Sequence, residues 1–127
     1  MLAIAELLAR SEAGDGGRSL DGEPLTSELL RDAADAAFAE HGCRGDDMIV
    51  AHGAQAADGH HQGSGRLAND DVIVCDLFPR HLESTCFSDM TRTFSVGTPD
   101  PELAGWHEHT LAAVEHVRAE QLEISFG

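Results

Sequence analysis

The chain has 127 residues, 42% of them hydrophobic, which gives room for one domain with a core of modest size and argues against disorder. Its 23 acidic residues outnumber 8 basic ones, for a formal net charge of −15, and every basic residue is an arginine. Such a surface repels phosphate backbones and anionic membranes, which argues against nucleic acid or a membrane as partner. An acidic surface without lysine also fits a high-salt cytoplasm, where dense counterions screen self-repulsion, and so predicts a halophilic, cytoplasmic protein.

In chain order, Met1 to Arg10 reads as a soluble amphipathic helix, with Ile4, Leu7 and Leu8 at helical spacing and no basic region ahead of the apolar run. The polar, glycine-rich stretch Ser11 to Glu23 reads as a turn or linker. A second helix is expected from Thr26, a good N-cap, with Leu29, Leu30, Ala33, Ala34, Ala37 and Phe38 on one face and Gly42 as its stop. Met48 to Ala51 and Asp71 to Phe78 carry strand signals. Pro79 to Thr85 is a polar connection of hairpin length, after which Cys86 to Gly97 continues the β pattern, with Met90 and Phe94 expected in the core. Asp100 then caps a helix that has Pro101 at its first position. A core-facing stripe of Leu103, Trp106, Thr110, Leu111, Val114 and Val117 follows. Cys43, Cys75 and Cys86 form no CxxC pair and are odd in number, so they are expected to be reduced core thiols.

The segment DVIVCDLFPRHLESTCFSDMTRTFSVG places aspartates within two otherwise apolar strands. If the hairpin is symmetric about Leu82 and Glu83, Asp76 faces Asp89 with Cβ atoms roughly 4.5–5.5 Å apart. Two buried like charges that close require a cation or a shared proton. A pair of divalent ions roughly 3.5–4 Å apart, sharing carboxylate ligands, suits the geometry. On spacing alone a second reading stands beside it, in which a turn-proximal aspartate and a solvated strand aspartate never meet. Arg80 and Arg92 could also serve as organic counterions, although alternation puts Arg92 on the face opposite Asp89.

FSDMTRTFSVG resembles the second-aspartate motif of the metallopeptidase family that contains methionine aminopeptidase, Xaa-Pro aminopeptidase, prolidase and creatinase and shares the pita-bread fold. VIVCDLFPR is similar to that family's first-aspartate strand, and IVAHGAQAADGHHQGSG to the stretch holding its substrate-side histidine. LTSELL and VGTPDPEL fit the starts of two of its helices. The resemblance implies an α+β fold, helices packed on a curved antiparallel sheet, with residues 1–24 as an N-terminal helix and linker and 25–127 as the first half of the pita-bread fold. It implies that Asp76 is a bidentate ligand to one metal, that Asp89 bridges two, and that His60 contacts the substrate, with His61 as the fallback. Gly59 stands where many relatives have proline, and the hairpin is two residues longer than the commonest prolidase pattern. An even insertion keeps each aspartate on its face.

The implied cofactors are two divalent ions (Mn, Co, Zn or Fe), the implied partner is a peptide substrate, and the reaction is hydrolysis after an N-terminal residue or at an Xaa-Pro bond. Two other readings, a non-catalytic pita-bread binding module and a creatinase-type amidinohydrolase, share the fold. The family completes its site with a histidine and two glutamates from the second half. The chain therefore reads as a truncated catalytic domain, inactive alone, whose exposed half-domain surface would form a homodimer or take a partner. His107, Glu108, His109 and Glu115 read as a solvent-facing polar patch, since WHEHT lacks the HExxH spacing. The tail EQLEISFG departs from the family after Glu120.

Overall fold

The computed structural model describes residues 1–124, with side-chain surroundings for residues 1–120; the end of the EQLEISFG tail lies outside them. Residues Met1–Gly97 form one compact unit and Thr98–Gly127 another.

In the first unit, helix α1 (Leu2–Arg10) buries Ile4 and Leu8. Helix α2 (Ser27–Glu40) starts where Thr26 Oγ1 accepts the Leu29 N–H and buries Leu30 and Ala34. Past its end, Gly42 takes a φ of 66°, a left-handed conformation that glycine adopts at little cost.

The main sheet is antiparallel, in the order β4 (Cys43–His52), β5 (Val72–His81), β6 (Met90–Ser95). On β5, Ile73, Cys75 and Leu77 are buried while the residues between them are half-buried, the alternation of a strand with one face on a core. These three join Val50, Leu25, Leu67, Val96 and the apolar residues of α1 and α2 in a single cluster. The antiparallel sheet with helices on it agrees with the expected α+β architecture, and β4 runs well beyond the short strand expected at Met48 to Ala51. A register shift between Gly45 and Met48 lets Asp46 and Asp47 bulge out of its ladder.

Several expectations fail for identifiable reasons. The stretch after α1 is not a linker: β1 (Glu12–Gly14), β2 (Gly17–Leu20) and β3 (Glu23–Pro24) form a small antiparallel sheet. Arg66 holds it against the following chain by donating to the carbonyls of Arg18 and Gly17. Polar composition does not reveal such pairing, because the backbone and the arginine forks supply the bonds. Of the three cysteines only Cys75 is a core thiol, since Cys43 is half-buried and Cys86 exposed. Met90 is 41% exposed, whereas Phe94 packs against the core. The second unit, taken by itself, is helix α3 (Pro101–Ile124), whose Glu102 N–H donates to Asp100 Oδ1 as the cap predicts. Its stripe is not buried: Trp106, Leu111, Val114 and Val117 are exposed. No helix among the described residues is long and apolar enough to cross a membrane.

Truncating fully buried Leu30 to alanine removes packing that joins α2 to the core, and is expected to lower the unfolding free energy by about 2–5 kcal/mol in a denaturant titration. Burial pushes the Cys75 thiol up to about 12. At pH 8 a thiolate-directed alkylating reagent should modify Cys86 in the native protein and reach Cys75 only after unfolding, as mass spectrometry of the peptides would show.

Candidate metal centre

Asp76 lies on the sheet face opposite the core, between Ile49 of β4 and Thr91 of β6. The Thr91 hydroxyl donates to Asp76 Oδ1, which fixes the carboxylate's orientation without neutralising it. The hairpin register differs from the expected one by two residues: Asp76 pairs with Thr91, and not with Asp89. The same register runs on through the Arg80 to Phe87 bridge, so the turn is centred on Glu83 and Ser84. Its four-residue loop closes with Thr85 at a φ of 59° and its N–H donating to the His81 carbonyl. Because the shift is even, strand parity carried one residue back from the start of β6 at Met90 keeps Asp89 on the Asp76 face, as a diagonal neighbour about 7–8 Å away across the strands.

Neither arginine neutralises this pair. Arg92 is the cross-strand partner of Cys75, on the core side of the sheet, and donates to the Thr91 carbonyl. Arg80 is drawn to Asp46, 3.8 Å away in the bulge of β4, an acid to which Arg44 also bonds. Among the described residues no ion pair involves Asp76 or Asp89. Hard carboxylate oxygens on one face without an organic counterion are a donor set for a divalent cation. The fit is partial, since no three His, Cys, Asp or Glu side chains converge to hold an ion among the described residues. His60 and His61 therefore do not join the two aspartates in a ligand group. His107, Glu108, His109 and Glu115 are exposed along α3, as expected.

The histidine loop is held tightly along the free edge of β4. Val50 N–H donates to the Gln62 carbonyl, and Arg31 of α2 donates to the carbonyls of Gln62 and Gly63. The backbone passes so close that a Cβ at Gly63, where φ is 84°, would stand 1.8 Å from the Val50 oxygen. Within the loop, His60 N–H donates to Asp58 Oδ1, and its side chain is exposed. His61 is half-buried, and its Nδ1 accepts the Gly63 N–H at 2.9 Å, which in the neutral ring leaves the proton on Nε2. Sequence reasoning missed the clasp behind the loop. There His52 Nδ1 donates to Asp71 Oδ2 at 2.7 Å, and its Nε2 lies 3.0 Å from the Ser64 carbonyl oxygen. Asp71 also accepts the Ala68 N–H. Nothing in the local sequence marks the pair, because 19 positions separate its members.

A family model described as Metallopeptidase family M24 matches residues 6–123. Two curated relatives, each described as "Probable dipeptidase PepE", from Mycobacterium bovis and Mycobacterium tuberculosis, are 35% identical over 79 residues, covering 61% of this chain and 21% of theirs. The chain thus spans about a fifth of the length of these relatives. Among solved structures, dipeptidase PepE from Mycobacterium ulcerans superposes with a TM-score of 0.63 at 26% identity, covering 82% of this chain and 26% of that one. X-Pro aminopeptidase from Thermotoga maritima MSB8 gives a TM-score of 0.68 at 24% identity, covering 90% of this chain and 30% of its own, a likeness of fold.

Gly63→Ala sets a left-handed backbone against a carbonyl that cannot move aside. It is expected to cost about 2–4 kcal/mol and to raise the amide exchange rates of His61, Gln62 and Gly63 above those of the β5 core. Unchanged exchange in that loop would contradict the close approach.

Proposed function

The chain belongs to metallopeptidase family M24, and we propose that it supplies one side of a metal-dependent peptidase site that hydrolyses the bond after an N-terminal residue or at an Xaa-Pro dipeptide. The observation that carries this reading is the pair of carboxylates, Asp76 and Asp89, on one sheet face with no arginine to neutralise them. The likeness to proteins described as dipeptidases supports peptides as the substrate class.

Asp76 and Asp89 would hold a pair of divalent ions drawn from Mn, Co, Zn or Fe, with further ligands from outside the described residues. Two such ions, when bound, supply Lewis acidity for the scissile carbonyl and lower the pKa of the attacking water. The remaining roles belong to the chain. Thr91 keeps the Asp76 oxygens pointed from the open face, and two carboxylates offset the charge of the ions. His60, on the rigidly backed loop, is free to donate a hydrogen bond to the substrate and to oxygen that becomes negative during attack. Its neighbour His61 has one nitrogen committed to Gly63 and serves as the alternative donor through Nε2.

The domain assignment follows the same reading, with residues 25–127 as the first half of a pita-bread catalytic domain and residues 1–24 as the N-terminal helix and the small sheet found in place of a linker. These 127 residues alone are expected to bind metal weakly and not to turn over substrate, and to self-associate through the surface the other half would cover. The acidic, lysine-free composition supports a halophilic, cytoplasmic protein as part of this reading.

Titrating the chain with Mn2+ and following water-proton relaxation tests the site. Asp76→Asn and Asp89→Asn should each weaken binding about tenfold or more, while His60→Ala leaves it unchanged. Equal Mn2+ affinity in the wild type and the double asparagine variant would sink the proposal.

A further inference from the structure

On the core side of the sheet, away from the aspartates, Arg18 of β2 is only 9% exposed. Its Nε donates to Ser11 Oγ at 2.7 Å and its Nη2 to the Ser11 carbonyl, while Nη1 reaches the Asn69 carbonyl at 3.4 Å. All three acceptors are neutral. Among the described residues no aspartate or glutamate pairs with it, although the chain carries 23 acids to 8 bases. A guanidinium keeps its charge inside a protein, and burying one without a counter-charge is costly. Neutral carbonyls satisfy some of its five N–H donors but leave the charge itself uncompensated.

Arg18 also lines a cavity of about 310 Å³ between α1 and the end of β6, at the small end of the range for organic ligands. Ala5 and Leu8 of α1 and Phe94 of β6 give it apolar walls. Arg18 is the one cationic residue of the lining. A single positive charge beside apolar walls matches a ligand with one negative charge and a short hydrocarbon body. Phosphate would bring more charge than the guanidinium balances and nothing to cover Leu8 and Phe94.

We propose that this cavity is a binding site for a small aliphatic monocarboxylate, its carboxylate paired with the Arg18 guanidinium and its tail against Leu8 and Phe94. The N–H donors of Nη1 and Nη2 that Ser11 and Asn69 leave over would meet the carboxylate in a charge-assisted pairing. The site is separate from the proposed peptidase chemistry and needs no metal.

Titrating the isotope-labelled chain with sodium butyrate tests the proposal directly. Saturable amide shifts are expected at Ala5, Arg18 and Val96 with none at Asp76 or His60. Arg18→Met should weaken binding roughly tenfold or more. Ala5→Leu, which fills the cavity and leaves the arginine in place, should do the same, and it decides the matter if the Arg18 variant fails to fold. Butyramide, which has the same body without the charge, should not bind. The proposal is overturned if butyrate shifts none of these amides, if its affinity survives Ala5→Leu, or if butyramide or inorganic phosphate binds as well as butyrate.

Discussion

Among the described residues, the central strand β5 alone in the main sheet is paired along both edges, and both the core and the candidate site depend on its pleat. One set of alternate residues, Ile73, Cys75 and Leu77, closes the core against α1 and α2. The other set puts Asp76 on the opposite face, where the neighbouring strand contributes Thr91 and, past the strand's start, Asp89. A slip of one residue would bury the carboxylate and expose the core, so the packing energy that holds the strand also selects the register of the candidate site.

Much of this was legible beforehand, and the exceptions share a cause. The helix capped by Thr26 and stopped at Gly42, the strand bearing Asp76 and the Asp100 cap each stand where their local signal put them, whereas β6 is shorter than the Cys86 to Gly97 pattern and begins at Met90, just after Asp89. The hairpin register missed by two because the turn's centre depends on whether Thr85 accepts a left-handed backbone, which composition does not decide. The faces survived that error because strand periodicity is two. The meander after α1 and the His52 to Asp71 clasp were not legible, since their bonds run between distant segments or through the backbone. The exposed stripe on α3 shows the limit of amphipathic reasoning. Periodicity identifies the apolar face of a helix and says nothing of what covers it.

The candidate histidines sit on a loop that is irregular yet closely held. Arg31 reaches it from α2, Gln62 and Gly63 run against the edge of β4, and Glu28 accepts the Gly65 N–H; the Glu28 carboxyl is drawn below the usual range first by its own backbone N–H and then by that of Gly65. Loops that position chemistry need such a scaffold, because the ordering entropy has already been spent before a substrate arrives. The loop also covers the outer edge of β4, which would otherwise present unpaired N–H and carbonyl groups to another strand.

Arginine fills a structural role here that lysine could not. Arg18, Arg31 and Arg66 each donate through a planar fork to more than one main-chain carbonyl, joining segments that are far apart in sequence. With no lysine among these 127 residues, none of their side chains offers a primary amine. Acylating reagents, amine-reactive dyes and aldehyde fixatives thus find no lysine to attack along this stretch. A fluorophore or surface linker is better carried on the exposed thiol of Cys86, at the turn between β5 and β6.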